Sequence, residues 1–375
     1  KSLNEVNKLT LADRVNILKK AAREFHVTEE EIEYAVKVIG VQKKNIIKKT
    51  ESIKYIFNNA YEFSKKRYNY LVDEFLYHRL DNNSLIYKKP LENISCCFLP
   101  GNDISVAAFV ISHVVIAGTS IIIKASKEEP YFAIKIASLI TKLGYPKGAI
   151  NVLLWDTDDK TRKSLAYSLI DNTEVRIIFG DDSTLQYLRY ENNGNKVIEH
   201  GKNGKFVLYG TGRSKSIVDK NINIKEVPKN IIEASLSYYI GCTSNKAVLV
   251  SEEIYDDFKQ EILTQIKALN INDPLNEDTD IGYAKDIEKV IKRLNEAKRF
   301  SAISILSDVQ LKNKLQTNEP ILIEVFDKNS EFLKNEYPVP IIALFKYKGD
   351  FENAVNIVNE LSFIDSVNNK SLVVS

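Results

Sequence analysis

The pattern of apolar and polar positions changes character twice along the chain. Up to about residue 80, apolar side chains recur every three or four positions among charges, the period of an amphipathic helix. The spacing predicts helices over 9–25 and 29–41, and Thr28 with Glu31 three positions later has the form of a capping box. Asn82-Asn83 marks a turn. From residue 94 short apolar runs replace the stripes, as in strands buried on both faces. The runs are 94–99, closed by Pro100-Gly101, then 120–124, 150–155 and 174–180. Helical patterns over 104–117 and 130–143 lie between them, the second stopped by Gly144-Tyr145-Pro146. Strand and helix alternating at short intervals predict a parallel α/β sheet with right-handed crossovers. After the turn-rich Asn192-Asn193-Gly194-Asn195, a run at 205–209 opens a new stretch. It holds helices at 252–268 and 284–300 and strand-like runs at 247–250, 320–325 and 340–345. The chain therefore divides into a helical region over 1–85 and two α/β domains, 86–198 and 199–375.

Composition narrows the function classes. A length of 375 residues with 44% hydrophobic and 27% charged residues is that of an ordinary globular chain with two or three domains. The 52 basic and 50 acidic residues are interspersed, which argues against a nucleic-acid surface. No apolar run has the length of a membrane span, and the N-terminal pattern is a charged amphipathic helix rather than a signal peptide. Three cysteines, Cys96, Cys97 and Cys242, cannot build a disulfide framework and fit the reducing cytoplasm. The four histidines form no Cys/His cluster, which argues against a structural zinc site, and no metal site is expected.

Candidate chemistry sits where apolar runs end. The loop Leu99-Pro100-Gly101-Asn102-Asp103 follows a buried run and opens a helix, where an open α/β sheet binds its ligand. Asn102 there offers an amide to a developing oxyanion, while the same residues would also serve as a turn and helix cap. Lys124, Ser126 and Lys127 follow the next run and offer cations and a hydroxyl to ribose or phosphate; an ordinary solvated connection has the same composition. Phe179-Gly180-Asp181-Asp182-Ser183-Thr184 precedes a helix whose free N–H groups could hold a phosphate, although two aspartates oppose an anion. No glycine-rich dinucleotide fingerprint or Walker loop is present. Glu199-His200 places an acid/base pair at the domain boundary. Cys242, flanked by Gly241 and the polar Thr243-Ser244-Asn245, fits the buried-thiol role less well than Cys96 and Cys97 do.

The order of these segments resembles the aldehyde dehydrogenase superfamily over roughly residues 90 to 350. Pro-Gly-Asn-Asp-Ile (100–104) resembles its Pro-Trp-Asn-Phe-Pro loop, which implies Asn102 as the oxyanion amide. Ile-Ile-Ile-Lys-Ala-Ser-Lys (121–127) resembles its adenosine-ribose strand and loop, and Phe179, Gly180 and Ser183 lie at the place of its cofactor-phosphate segment. Gly-Cys-Thr-Ser-Asn-Lys (241–246) is similar to its nucleophile segment, which implies Cys242 as nucleophile, and Glu336-Tyr-Pro-Val-Pro implies Glu336 at the nicotinamide ribose. The resemblance makes 86–198 an NAD(P)-binding Rossmann-like domain and 199–375 the catalytic domain.

Within the superfamily, 152–159 and Glu-His-Gly-Lys-Asn-Gly-Lys-Phe (199–206) resemble the LuxC-type acyl-CoA reductases, with His-Gly where aldehyde oxidisers have Glu-Leu-Gly-Gly-Lys. That implies NADPH-dependent reduction of an acyl-CoA to an aldehyde through a Cys242 thioester, with His200 protonating or orienting and no water-activating base required. Lys127 in place of the usual Glu favours the 2′-phosphate of NADPH over NADH. Glu199 nearly aligns with the missing base, so oxidation of an aldehyde to an acid is the alternative, beside acyl-phosphate reduction and a catalytically degenerate nucleotide-binding member. The resemblance also implies a homodimer or homotetramer, in a chain that ends before much of the family's C-terminal portion.

Overall fold

The computed structural model describes residues 2–68, 77–79, 85–87, 94–155, 159–191, 196–197, 205–212, 214–283, 287–299, 303–306 and 319–363. They fall into two compact units, 1–29 with 47–209 and 30–46 with 210–375. Four helices lead in: α1 (Ser2–Val6), α2 (Leu11–Glu24), α3 (Glu29–Ile39) and α4 (Lys43–Tyr68). A capping box starts α2: the Thr10 hydroxyl accepts the Asp13 N–H at 3.1 Å, and the Asp13 carboxylate accepts the Thr10 N–H at 2.9 Å. Thr28, where the sequence pattern suggests such a box, directly precedes α3.

The helical region does not form a unit of its own. Ile17, Leu18 and Ala21 of α2 are buried against the helices of the first sheet, so that stripe joins the first unit. Residues 30–46 are tied into the second. The Lys43 N–H donates to Pro274 O at 2.8 Å, and Lys44 pairs with Asp280 at 2.8 Å.

In the first unit β1 (Tyr77–Arg79) and β2 (Leu85–Tyr87) pair antiparallel; Asn82-Asn83 between them lies outside the described residues. The sheet is built from β3 (Ser95–Phe98), α5 (Ser105–Ala117), β4 (Ile121–Lys124), α6 (Tyr131–Lys142), β5 (Ile150–Leu153), α7 (Asp159–Asp171), β6 (Val175–Phe179) and α8 (Asp182–Arg189). The small ladder of β7 (Tyr190–Glu191) and β8 (Lys196–Val197) precedes its last strand, β9 (Lys205–Tyr209). Strand order is β5-β4-β3-β6-β9, all parallel. The chain winds outward from β3 to β5, then returns to place β6 on the other side of β3. The loops after β3 and β6 therefore flank the switch point, where such sheets take their ligands.

The second unit holds β10 (Lys215–Val218), α9 (Glu226–Leu236), β11 (Ala247–Ser251), α10 (Tyr255–Lys267), α11 (Ile287–Arg299), β12 (Ile303–Ile305), β13 (Ile321–Val325), α12 (Glu331–Lys334), β14 (Ile341–Tyr347) and α13 (Phe351–Phe363). Its order is β10-β11-β14-β13-β12, parallel except for the edge strand β12. All five residues of β11 are buried, and each of Val248, Leu249 and Val250 contributes roughly 1.5–3 kcal/mol by leaving water. The change of unit falls at Tyr209/Gly210, a little beyond the 198/199 boundary read from the sequence. β10 escaped the pattern because Lys215-Ser216-Ile217-Val218 carries only two apolar residues. Among the described residues no helix is long and apolar enough to cross a membrane.

Candidate active site

In the second unit the three segments leading into β10, β11 and β14 lie side by side. The strands are neighbours in register, with Lys215 beside Ala247 and Ala247 beside Ala343, so the loops ahead of them meet at one edge. The middle loop carries Cys242. After α9 the chain turns twice: the Gly241 N–H donates to Tyr238 O at 2.8 Å and the Ser244 N–H to Gly241 O at 3.0 Å. The Ser244 hydroxyl also donates to Tyr238 O, and Asn245 bonds back to α9, its N–H to Ala234 O at 3.1 Å and its amide to Ser235 Oγ at 3.0 Å. Cys242 is thus held half-buried in a knitted loop.

The other cysteines are of a different kind. Cys96 and Cys97 lie inside β3 and are fully buried. Burial pushes the Cys96 thiol up to about 11 and the Cys97 thiol well above the usual range. They are core residues, as their place in an apolar run suggests.

On one side of the Cys242 loop lies Gly212. A Cβ there would overlap the Cys242 carbonyl and come within 2.6 Å of its Cα, so the two backbones touch and only glycine fits. On the other side is Glu336, whose carboxylate accepts the Gly212 N–H at 2.7 Å. Cys242, Gly212 and Glu336 therefore form one constellation although 30 and 94 positions separate them along the chain. Behind it sits Lys246, only 4% exposed. Its ammonium donates to Tyr239 O and, at 3.3 Å, to Tyr337 O. Burial pulls it down to about 8, against the opposing influence of Glu336 and then Cys242.

In the first unit the carboxyl ends of β3 and β4 are tied together. The Leu99 N–H donates to Lys124 O at 3.0 Å, and a Cβ on Gly101 would overlap Ser126 Oγ. Asp103 rather than Asn102 supplies the turn chemistry: it accepts the Ser105 N–H at 2.8 Å and the Ser105 hydroxyl at 2.6 Å, and pairs with Lys49. Asn102 lies half-buried beside it. Lys124 stands 5.7 Å from the Trp155 ring, and burial and then the charge of Arg162 hold its ammonium below the usual range. Lys127 is exposed, and Ser126 Oγ accepts the Glu128 N–H at 3.2 Å.

At the end of β6, Phe179 stacks on Tyr209 with ring centroids 4.3 Å apart, and the Gly180 N–H donates to Tyr209 O at 3.1 Å. The start of α8 is already capped by a carboxylate: Asp181 accepts the Thr184 N–H at 2.8 Å and the Ser183 hydroxyl at 2.9 Å. Lys124, Ser126 and Lys127 follow the carboxyl end of β4, where Ser126 closes on Gly101. The Asp181 cap occupies donors that a phosphate would otherwise take. Glu199 and His200 lie outside the described residues.

The family model described as the aldehyde dehydrogenase family matches residues 1–366. The chain belongs to that family. Among curated relatives, malonate-semialdehyde dehydrogenase 1 of Bacillus thuringiensis (strain Al Hakam) is 23% identical over 258 residues, 66% of this chain and 50% of the relative. The chain thus spans about half the length of the curated relatives it matches. A benzaldehyde dehydrogenase structure from Corynebacterium glutamicum superposes with a TM-score of 0.80 at 15% identity, covering 96% of this chain and 76% of that one. A glyceraldehyde-3-phosphate dehydrogenase from Methanocaldococcus jannaschii, complexed with NADP, gives 0.75 at 19%, covering 100% and 84%. These likenesses establish an aldehyde dehydrogenase fold.

The family match also runs through the N-terminal helices, well beyond the 90–350 stretch that carries the sequence resemblance. Two members of the constellation were missed in the sequence. Gly212 had a usable signal in Gly210-Thr211-Gly212 just ahead of a strand. Lys246 had a weaker one, a lone cation entering the apolar Ala247-Val248-Leu249-Val250 run.

Proposed function

We propose that this family member oxidises an aldehyde with NAD(P) through a thioester on Cys242. The observation that carries the reading is the constellation at one sheet edge: a half-buried cysteine in a knitted loop, Gly212 against its backbone, and Glu336 bonded to Gly212. The Cys242 thiolate adds through Sγ to the carbonyl carbon, and the carbonyl oxygen becomes an oxyanion. Asn102 is assigned the oxyanion amide on its motif. A bound nicotinamide dinucleotide would supply the hydride acceptor for this oxidation. Collapse of the oxyanion leaves an acyl group on Sγ, and hydrolysis returns acid and thiol. On their motifs, Lys124, Ser126 and Lys127 would hold the adenosine end and Glu336 the nicotinamide ribose. Lys127 supports NADP, because a cation attracts a 2′-phosphate that a carboxylate would repel.

The relatives' name makes a short semialdehyde the first substrate to try. The test mixes the full chain with a panel of aldehydes and each oxidised dinucleotide, following absorbance of the reduced form and acid production. Cys242→Ala is expected to lose turnover by roughly a thousandfold or more. Turnover retained in that variant overturns the proposal.

A second reading, reduction of an acyl thioester to an aldehyde, is favoured by Glu-His-Gly-Lys at 199–202, where aldehyde oxidisers carry Glu-Leu-Gly-Gly-Lys. Product analysis separates the two. Aldehyde formed from acyl-CoA and reduced dinucleotide, with no acid formed from aldehyde, supports reduction.

A further inference from the structure

Lys246 is an expensive residue at its position. It is 4% exposed, yet the groups its ammonium meets among the described residues are two neutral carbonyls, Tyr239 O and Tyr337 O. A buried ammonium is costly without a compensating negative charge, and an apolar side chain would fill the space at less cost. The negative groups that act on it are Glu336 and, second, Cys242. Its backbone is equally committed: its N–H donates to Ser214 O at 3.2 Å and its carbonyl accepts the Ala343 N–H at 3.1 Å. One residue thereby reaches the segment that follows Gly212, the turn between α9 and Cys242, and the residue next to Glu336. Among the described residues, the ionisable groups along those segments include Lys215 on β10, Glu233 on α9, Tyr238, Tyr239 and Cys242 after it, and Glu336 and Tyr337 ahead of β14.

We infer that Lys246 is a positioning residue for the reaction: its buried ammonium is the counter-charge of the Cys242 thiolate, and its carbonyl bonds fix the loops that carry Cys242 and Glu336. The inference rests on Cys242 as nucleophile. It adds that the thiolate is made by an interior charge rather than by a neighbouring base. With its pKa near 8 the ammonium is mostly protonated at neutral pH, so the charge is present where the chemistry runs. Once Cys242 is acylated and neutral, one of the two negative influences on that ammonium is gone and that of Glu336 remains.

The test is the pH dependence of Cys242 alkylation by iodoacetamide in the full chain, read by mass spectrometry. Lys246→Met is expected to slow labelling at neutral pH about tenfold or more and to move the midpoint upward, while Lys246→Arg stays within about threefold of the parent. A Lys246→Met profile that overlays the parent's overturns the inference, leaving Lys246 a purely structural tether. A second measurement needs no substitution. In protein labelled with carbon-13 lysine, the Lys246 titration is expected to fall in pH once Cys242 is alkylated, because its negative partner is gone. An unchanged midpoint overturns the inference as well. Neither readout needs substrate, so failure here is distinct from failure of the oxidation proposal, which the turnover of Cys242→Ala decides.

Discussion

The two sheets present their chemistry at opposite ends of their strands. In the first unit the candidate residues follow β3, β4 and β6, at the carboxyl ends beside the switch point. In the second, Gly212, Cys242 and Glu336 precede β10, β11 and β14, at the amino ends. The first edge is assembled largely from side chains, with Ser126 against Gly101, Asp103 on Ser105 and Lys124 over Trp155. The second is assembled from backbone, with Gly212 pressed on the Cys242 peptide and Lys246 bonded to four backbone groups. Side chains can rotate to admit a large ligand. Backbone cannot, and the nucleophile role proposed for Cys242 would draw on that rigidity.

The sharpest contrast lies in the thiols. In the native protein at pH 8, iodoacetamide is expected to label Cys242 about a hundredfold or more faster than Cys96, which is fully buried and whose thiol burial pushes up to about 11. Cys97, fully buried, should label only on unfolding. Peptide mapping after timed quenching reads all three at once. Comparable native-state labelling of Cys96 would erase the distinction between a core strand and a reactive loop.

The glycines test the same contrast in stability. Gly212→Ala places a methyl group into the Cys242 peptide, and the backbone must move, at a cost of about 3 kcal/mol or more. Gly101→Ala meets Ser126 Oγ, the far end of a small side chain, and a rotamer change limits the cost to about 1 kcal/mol. Denaturant midpoints compare the two. Equal losses would show that the second edge has as much give as the first.

The parts legible in the sequence are those written in short apolar runs. β3, β4, β6, β11, β13 and β14 all lie where such runs fall, because parallel strands buried on both faces leave few polar positions. β10 and β12 were hidden, the one by Lys215 and Ser216, the other by its length of three residues. The helical region misled for a different reason. Its stripes are clear, but a stripe does not say which sheet will cover it, and residues 30–46 fall to the second unit. At the site, Cys242 stood out by its polar neighbours. Gly212 and Lys246 did not, since what distinguishes them is distance from other segments, which no local pattern records.

The smallest contrast concerns two acidic caps of the first unit. Asp103 lies half-buried, with two bonds to Ser105 and a partner in Lys49. Asp181 is exposed and bonds Thr184 and Ser183 at the start of α8. Asp103→Ala is expected to cost about 1–2 kcal/mol and Asp181→Ala about 0.5–1 kcal/mol in thermal or denaturant unfolding. Their effects on dinucleotide binding should have opposite signs. Loss of Asp103 loosens the loop that carries Asn102 and weakens binding. Loss of Asp181 removes a negative charge and frees a helix N–H, so binding tightens if the dinucleotide phosphates approach that end of β6. Titration of each variant with NADP, followed by quenching of intrinsic fluorescence, decides this. Weaker binding in Asp181→Ala would place the phosphates away from α8 and leave the Lys124 side of the sheet as the anchoring end.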